Sequence, residues 1–299
     1  MDWQQAQKEL VSRLTSLYAD REAATITDWV MESLSGRKKI DRLLHRSDML
    51  PPAELELYKK YTADLLQLRP VQYVLQESWF CGLKFYVDEH VLIPRPETEE
   101  LVEWVAAESG RNTESGLPAG GSGTVGVGGA RASILDVGTG SGCIAVALKK
   151  QLPSLDVYGC DISPEALAVA ERNAAALDAN IQFLRLDFRD SGQWDRLPGI
   201  RYLVSNPPYI PLKDKAAMAP HVVEFEPHLA LFVEDADPLL FYRALAGFAQ
   251  RKLAPGGAVF AEIHEDLAGP VEELFRKNGF QQVILKKDMQ GKDRMIKAS

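Results

Sequence analysis

The 299-residue chain contains only three cysteines, Cys81, Cys143 and Cys160, and they lie far apart in the sequence. An odd, scattered set of this kind excludes a disulfide framework and a cysteine-based zinc cluster. The five histidines show no metal-ligand spacing either. We therefore expect no protein-bound metal, and we interpret Cys143 and Cys160, which have apolar neighbours, as buried thiols.

The chain also lacks a long apolar segment, a secretion signal and an excess of basic residues. No apolar run reaches the roughly 20 residues that a membrane-spanning helix needs, and the N-terminal residues do not follow the charged-then-apolar signal pattern. We therefore expect a cytoplasmic protein without a membrane partner. The net charge is −8, whereas proteins that grip nucleic acid usually present a basic face. We expect no direct nucleic-acid partner, and a monomer is the default state.

The pattern of apolar residues changes along the chain and predicts two domains joined by a linker. Apolar residues recur at helical spacing over residues 1–75, which predicts a small helical bundle. Aromatic and β-branched residues become frequent from Val71 onward, and residues 76–93 are predicted to form a β-hairpin linker. Residues 94–299 form the second predicted domain. Within it, the Gly- and Ser-rich residues 109–131 predict a flexible loop.

Short apolar runs alternate with amphipathic stretches in the second predicted domain. The runs SILDV, DVYGCD, IQFLRLD and RYLVSN have strand length, and predicted helices at 142–151 and 164–177 separate the first three. A helix at 238–253, a strand GAVFAEI, a helix at 266–278 and a closing pair of strands follow. This order predicts an α/β fold with a parallel sheet, helices on both faces and a final antiparallel hairpin.

A glycine-rich loop follows the first predicted strand, and a predicted helix begins directly after it. The loop comprises Gly138, Thr139, Gly140, Ser141 and Gly142. Glycines let the backbone turn tightly and let a ligand approach the main chain. The carboxyl ends of parallel strands are also where open α/β sheets bind ligands. The loop therefore predicts a ligand site, although a plain Gly-rich turn is the alternative.

Acidic residues at the ends of the next two predicted strands suggest a nucleoside ligand. Asp161 is placed to accept hydrogen bonds from two ribose hydroxyls. Asp187 can bond an adenine amino group and Phe188 can lie against the ring; a capping Asp and a core Phe are the alternative. The dinucleotide pattern requires a glycine where this chain has Cys143. A ligand without a pyrophosphate, such as S-adenosylmethionine, therefore fits better.

The fourth predicted strand ends in Asn206, Pro207, Pro208 and Tyr209. Two consecutive prolines cannot donate to a sheet ladder, and they hold the chain extended with free carbonyls. The Asn206 side chain and the Pro207 carbonyl can together accept both hydrogens of one NH₂ group, while Tyr209 can stack on a flat substrate. Two acceptors stabilise the positive charge that develops on a nitrogen receiving a methyl group. A proline-rich turn is the plain structural alternative.

In this order, the segments DVGTGSG, CDIS, LDF and NPPYIP resemble class I methyltransferases. NPPY is shared by enzymes that methylate amide, adenine and guanine amino groups. Apart from residues 109–131, the whole chain is similar to the HemK/PrmC family of release-factor glutamine methyltransferases. IPRPETEELVE at 93–103, EFEPHLAL at 224–231 and GKDRMI at 291–296 carry much of this likeness. The chain departs from the family's pattern at 232–238 and 264–266.

The resemblance implies a Rossmann-like domain with a mostly parallel seven-stranded sheet and an antiparallel C-terminal strand, preceded by a helical domain for partner docking. It implies S-adenosylmethionine as cofactor and the glutamine of a release factor's Gly-Gly-Gln loop as substrate, methylated at N5. The implied cofactor contacts are Gly138 to Gly142, Asp161, Phe188 and Asn206. The implied glutamine contacts are Asn206, Pro207, Pro208 and Tyr209, of which Asn206, Pro207 and Tyr209 are assigned to catalysis.

Two other hypotheses share some of these motifs. A DNA or RNA amino-group methyltransferase would carry NPPY but would need a base-flipping pocket and a positive groove. The acidic charge balance and the lack of a recognisable target-recognition domain argue against that hypothesis. A noncatalytic binding module could retain the fold, but the intact site residues argue against it.

Overall fold

The computed structural model describes residues 1–114 and 133–299. The chain divides into two compact units. The first comprises Met1–Glu77 and Ala219–Phe225, and the second comprises Ser78–Met218 and Glu226–Ser299. Among the described helices, none combines the length and the apolar composition needed to cross a lipid bilayer.

The first unit is helical. Its helices are α1 (Trp3–Leu14), α2 (Asp20–Ser35), α3 (Lys39–Leu44), α4 (Pro52–Leu66), α5 (Val71–Leu75) and α9 (Pro220–Phe225). Leu10, Val30 and Leu65 are fully buried between them, because amphipathic helices turn their apolar stripes toward a common core. At the start of α1, the Asp2 carboxylate accepts the N–H of Gln5 and the Gln5 side chain accepts the N–H of Asp2, which satisfies two free donors.

Residues 71–75 lie at the end of the predicted helical range but carry β-type side chains. The β-type residues Val71, Tyr73 and Val74 lie in helix α5, not in a strand. The Pro70 carbonyl accepts the N–H groups of Tyr73 and Val74, and all three side chains are buried. Burial on one side of a single helical turn outweighs their preference for strands, since β propensity depends strongly on tertiary context.

A short β-hairpin opens the second unit. Strands β1 (Ser78–Phe80) and β2 (Leu83–Phe85) pair antiparallel. Cys81 and Gly82 form the turn with φ angles of 49° and 72°, a conformation that glycine adopts without strain. Only the first part of the predicted 76–93 hairpin is therefore strand, and residues 86–93 continue without one.

Helix α6 (Pro96–Glu114) extends further than the sequence predicts. Residues 109–114 are helical, whereas the sequence predicts a Gly- and Ser-rich loop from residue 109. A helix that has already formed gains one hydrogen bond for each residue it adds, so it continues without further apolar periodicity. The rest of the predicted loop, 115–131, lies outside the described residues.

The second unit is built on a seven-stranded sheet with the order β10-β11-β9-β6-β3-β4-β5. The strands are β3 (Ser133–Val137), β4 (Asp156–Asp161), β5 (Gln182–Arg185), β6 (Ile200–Ser205), β9 (Leu253–Glu262), β10 (Val283–Lys287) and β11 (Asp293–Ala298). All neighbours in the sheet run parallel except β11, which is antiparallel to both β9 and β10. The predicted fold class is confirmed.

Helices and short elements surround this sheet. They are α7 (Cys143–Gln151), α8 (Pro164–Ala176), α10 (His228–Leu231), α11 (Leu240–Lys252), α12 (Ala268–Lys277), the paired strands β7 (Ile210–Pro211) and β8 (Phe232–Val233), and 3₁₀ helices at Ser191–Arg196, Leu212–Ala217 and Glu265–Leu267. Neighbouring residues of β6 point to opposite faces. Leu203 accordingly lies in the cluster with Phe248, and Tyr202 lies in the other cluster with Phe260.

The strand order places a ligand site at the middle of the sheet. After β3 the chain proceeds outward through β4 and β5, and it then returns to add β6 on the other side of β3. Loops after β3 and β6 therefore diverge and leave a crevice at the carboxyl ends of these strands. The predicted glycine loop follows β3, and Asn206 follows β6.

Candidate active site

The glycine loop after β3 exposes its backbone. Gly138, Gly140 and Gly142 have φ angles of 70°, 52° and 78°, which side chains rarely tolerate. A Cβ added at Gly138 or Gly140 would meet no atom closer than 4.0 Å, whereas one at Gly142 would lie 3.1 Å from the Cβ of Ala170 in α8. The first two glycines therefore leave room for a ligand, and the third allows helix α8 to approach.

Asp161 is fixed by backbone donors at the end of β4. The N–H of Gly140 donates to its Oδ2 at 2.9 Å, and the N–H of Ser163 donates to its Oδ1 at 3.0 Å. Each oxygen can accept a further hydrogen bond. Burial raises the pKa of Asp161, and the donated N–H bonds oppose that rise. The carboxylate is oriented before any ligand arrives and can accept two hydroxyl groups.

A second carboxylate, that of Asp136, is hydrogen-bonded to the glycine loop. Thr139 Oγ1 donates to Asp136 Oδ2 at 2.6 Å, and Asp136 is fully buried. Burial raises the pKa of Asp136 to about 7. Thr139, Ser141 and Gly142 are not among the residues that line the pocket, so they shape the loop and do not face the cavity.

The residues that follow β5 reach the same pocket but have local partners. Asp187 accepts Nε and Nη2 of Arg189 at 2.9 and 2.7 Å, and these bonds lower the pKa of Asp187. Phe188 lines the pocket, yet its ring packs against Trp194 and Phe248 with centroids 5.8 and 5.1 Å away. Phe188 is therefore both a core residue and part of the pocket wall.

One pocket joins the two predicted sites. It is lined by Gly138, Gly140, Asp161, Asp187 and Phe188 from the first, by Asn206, Pro207 and Pro208 from the second, and by residues 89–92, 227, 229 and 230. Tyr209 is not among the lining residues. The structure therefore brings an open glycine backbone, an oriented carboxylate and the Asn-Pro-Pro backbone into one cavity.

Asn206 is connected to a buried carboxylate through one intermediate hydroxyl. Its Nδ2 donates to Thr98 Oγ1 at 3.1 Å, and Thr98 Oγ1 donates to Glu262 Oε2 at 2.7 Å. Tyr209 OH donates to the other oxygen, Glu262 Oε1, at 2.8 Å. Thr98 lies in the first turn of α6 and Glu262 ends β9, and both are buried. We call Asn206, Thr98, Glu262 and Tyr209 the Asn206 network.

The Asn206 network changes the interpretation of Tyr209. The sequence suggests that Tyr209 stacks on a flat substrate, but its hydroxyl is bound to Glu262 and its ring lies outside the pocket lining. Burial and the negative charge of Glu262 raise the pKa of Tyr209. Burial also raises the pKa of Glu262, while the hydrogen bonds from Thr98 and Tyr209 oppose that rise.

Two further buried residues hold the segments that close the pocket. Glu226 accepts the N–H of Ile93 at 3.2 Å and the Nη2 hydrogen of Arg95 at 2.5 Å, and the next residue, Pro227, lines the pocket. Asn173 Nδ2 donates to the carbonyls of Tyr86 and Ser141, both at 2.9 Å, which ties the chain before segment 89–92 to the glycine loop.

Sequence reasoning did not find Thr98, Glu262, Glu226 or Asn173 as site residues. Thr98 and Glu226 do lie in IPRPETEELVE and EFEPHLAL, two of the segments that carry the family likeness. No spacing rule singles them out, because their partners are distant in the chain. In residues 1–114 and 133–299, no group of three or more His, Cys, Asp or Glu side chains could hold a metal ion.

A solved structure with the same fold is the hMettl16 catalytic domain in complex with MAT2A 3′UTR hairpin 6. It superimposes with a TM-score of 0.53 at 15% sequence identity, and the match covers 83% of this chain and 81% of that chain. At this identity the likeness supports the class I methyltransferase fold alone.

Family models and curated relatives identify the chain more closely. A model described as PrmC N-terminal domain matches residues 5–75, and a methyltransferase domain model matches residues 134–206. The release factor glutamine methyltransferase of Flavobacterium psychrophilum is 38% identical, with 97% of this chain and 96% of that protein covered. The enzymes of the same name from Bacteroides thetaiotaomicron and Lactococcus lactis are 35% and 33% identical, over 96% of this chain in both cases and over 96% and 98% of their own lengths. This chain therefore belongs to the release factor glutamine methyltransferase family of S-adenosylmethionine-dependent enzymes.

Proposed function

We propose that this enzyme transfers the methyl group of S-adenosylmethionine to the side-chain amide nitrogen of a glutamine in a peptide chain release factor. One observation carries the proposal. Asn206 lines the cofactor pocket, and its Nδ2 is already bonded to Thr98, so its Oδ1 is the atom left to accept from an incoming NH₂ group. The names of the curated relatives point to the same reaction.

The residues of the glycine loop fit the cofactor. A Cβ at Gly138 or Gly140 would occupy open space, so the bare backbone provides room for the amino acid part of the molecule. Asp161 retains acceptor capacity on both oxygens, which suits the two hydroxyls of a ribose. When bound, the cofactor supplies an electrophilic methyl group on a positively charged sulfur.

The Asn-Pro-Pro-Tyr residues suit an amide acceptor. An amide nitrogen is a weak nucleophile because its lone pair is delocalised over the carbonyl group. We propose that Asn206 Oδ1 and the Pro207 carbonyl accept its two hydrogens, which stabilises the positive charge that develops during transfer. Pro207 and Pro208 have no N–H group, so this wall of the pocket presents acceptors without a competing backbone donor.

Glu262 has a supporting role in this scheme. Its two oxygens already accept the hydroxyls of Thr98 and Tyr209, and the side chain is buried. We therefore assign it no proton transfer. The methylated nitrogen returns to neutrality by losing its extra proton to water after the transfer, and a strong base is not required for the chemical step.

We propose that the helical residues 1–75 dock the release factor. In this unit the apolar side chains of Ile40, Leu43, Leu44 and Met49 are exposed, with Leu44 at 83%. Apolar side chains grouped on a surface commonly mark a site of protein interaction. A variant with Leu43 and Leu44 replaced by Ser should lose affinity for the release factor and keep its affinity for S-adenosylmethionine.

The acceptor class can be tested directly. We would incubate the enzyme with S-adenosylmethionine carrying a labelled methyl group and, in separate reactions, with a release factor, duplex DNA or RNA. We expect label in the release factor alone. An Asn206→Ala preparation made in parallel controls for contaminating methyltransferases. Label in either nucleic acid and none in the release factor would overturn the proposal.

A further inference from the structure

The hydrogen-bond donors and acceptors of the Asn206 network can be assigned from chemistry. An ionised carboxylate has no hydrogen to donate, so Glu262 accepts from both of its partners. Thr98 has one hydroxyl hydrogen, and its 2.7 Å bond to Glu262 Oε2 uses that hydrogen. Only lone pairs remain on Thr98 Oγ1, so Asn206 must present its NH₂ group, at 3.1 Å.

The assignment fixes which end of the Asn206 amide faces the pocket. The two ends of an asparagine amide have nearly the same shape, and only the hydrogen-bond partners distinguish them. With Nδ2 held by Thr98, Oδ1 is the end that is free for a ligand. An amide turned the other way would present N–H groups to the substrate NH₂, and two donors cannot bond to each other.

We propose that Thr98 and Glu262 are positioning residues that set the Asn206 amide with its oxygen toward the acceptor nitrogen. The inference rests on the proposed function, because it requires an acceptor with hydrogens on nitrogen. The negative charge of Glu262 determines the direction of the Thr98 hydroxyl, and that hydroxyl determines the orientation of the Asn206 amide. Neither residue is among those that line the pocket.

The surroundings of Glu262 agree with this role. Its side chain is buried, and both of its oxygens are bonded to hydroxyl groups. The charged groups that act on it are Arg294, which favours the ionised form, and Glu97, which opposes it. Burial of a carboxylate requires hydrogen-bond partners, and the hydroxyls of Thr98 and Tyr209 are such partners here.

Two substitutions at Thr98 separate the hydroxyl from the packing. Thr98→Val keeps the shape of the side chain and removes the hydroxyl, whereas Thr98→Ser keeps the hydroxyl and removes a methyl group. Misplacing a reacting group can slow catalysis by about 100-fold. We expect single-turnover methylation of a release factor to slow by about 10- to 100-fold in Thr98→Val and by less than about threefold in Thr98→Ser.

Glu262→Gln tests the direction of the network. The glutamine amide can donate to Thr98, which then turns its hydrogen toward Asn206 and favours the inverted amide. We expect a similar slowing, with the affinity for S-adenosylmethionine changed by less than about twofold. Because the two residues act through one path, Thr98→Val and Glu262→Gln together should be no slower than the slower single variant. Tyr242→Phe is the matched control, since the Tyr242 hydroxyl donates to the backbone carbonyl of Glu262 and not to its carboxylate.

An NMR measurement reports the orientation without turnover. The Asn206 side-chain NH₂ signals, identified by their absence in Asn206→Asp, should shift in Thr98→Val and remain near their original positions in Thr98→Ser and Tyr242→Phe. Melting temperatures and cofactor affinities establish that each variant is folded.

The outcomes distinguish this inference from the proposed function. A wild-type enzyme that does not methylate the release factor contradicts the proposed function. A wild-type enzyme that does, together with Thr98→Val at a rate within threefold of wild type, overturns the positioning role. Equal slowing in Thr98→Ser and Thr98→Val also overturns it, because packing would then be the cause. Rapid transfer by Thr98→Ser and slow transfer by folded Thr98→Val support it.

Discussion

The two ends of the pocket are constructed in different ways. The cofactor end is formed by a backbone loop and one carboxylate, and Gly138, Gly140 and Asp161 lie within 24 consecutive residues. The acceptor end is formed by hydrogen-bonded side chains, and the Thr98–Glu262 hydrogen bond joins residues 164 positions apart. Local backbone geometry fixes the first end, whereas the assembled sheet and helix α6 fix the second.

This difference predicts different consequences for mutation. Changes at the cofactor end should weaken binding, because the loop and Asp161 contact the ligand in the ground state. Changes at the Asn206 network should slow transfer with little effect on cofactor binding, because these groups act on the charge that develops during the reaction. Substitutions at the two ends of the pocket test this separation.

Asn206→Ala should have the largest effect on rate. It removes the proposed acceptor and should raise the barrier to transfer by about 2.7–4 kcal/mol, by analogy with the loss of one preorganised polar group. Single-turnover methylation at saturating cofactor measures this step, and calorimetry should show cofactor affinity only modestly reduced. Asn206→Asp should also be slow, since a carboxylate cannot donate to Thr98 and would lie near Glu262. A near wild-type rate in Asn206→Ala would refute the role of Asn206.

Asp161→Ala should affect binding instead. Loss of hydrogen bonds to a charged acceptor costs about 1–3 kcal/mol, which weakens binding of S-adenosylmethionine by about tenfold or more. Asp187→Ala is the comparison, because Arg189 already occupies both oxygens of Asp187, and a smaller loss is expected there. Calorimetric titration of both variants measures the difference. An equal loss, or no loss in Asp161→Ala, would mean that Asp161 does not hold the ribose.

Two glycines of the loop should respond differently to the same substitution. Gly142→Ala places a Cβ 3.1 Å from the Cβ of Ala170. The new alanine must also adopt a left-handed backbone conformation, which costs about 1–2 kcal/mol. Gly138→Ala has the same conformational cost without the close contact. We expect the melting temperature to fall further in Gly142→Ala than in Gly138→Ala. We expect Gly138→Ala to lose more cofactor affinity for a given fall in melting temperature. The reverse pattern would contradict the assignment of Gly138 to the ligand side.

The smallest expected effect concerns pH and the pair of Asp187 and Arg189. Arg189 lowers the pKa of Asp187 below its ordinary 3.8, so the pair adds stability above pH 3.8 and loses it as pH falls through the lower folded-state pKa. The pair is partly exposed, and solvent screening limits its contribution to about 1 kcal/mol or less. The stability difference between wild type and Asp187→Asn in urea should shrink from about pH 6 to about pH 3. A difference that grows on acidification would contradict the sign.

The same contrast explains how much of the molecule the sequence could predict. The strands of the large sheet can be predicted because buried strands contain short continuous apolar runs, such as residues 258–261 of Leu253–Glu262. Helix α5 lies within the predicted helical range, but the sequence does not single it out, because Val71, Tyr73 and Val74 prefer strands when considered alone. The end of α6 at Glu114 was missed because Gly- and Ser-rich composition indicates a loop even where a helix continues.

The candidate site shows a comparable division. The glycine loop, Asp161 and Asn206 each follow a predicted strand, so the rule for parallel sheets brings them together. The hydrogen bonds that hold Asn206 could not be predicted, because Thr98 and Glu262 meet only after α6 has packed on the assembled sheet. The hydrogen bond from Tyr209 to Glu262 could not be predicted for the same reason, since Glu262 ends the distant strand β9.

The most direct test of the central claim is to locate the transferred methyl group. A release factor incubated with the enzyme and S-adenosylmethionine would be digested and its Gly-Gly-Gln peptide sequenced by tandem mass spectrometry. We predict one added methyl group on the side-chain amide nitrogen of that glutamine, and none when glutamate replaces it. A methyl group on another residue, or transfer that persists with the glutamate variant, would contradict the account.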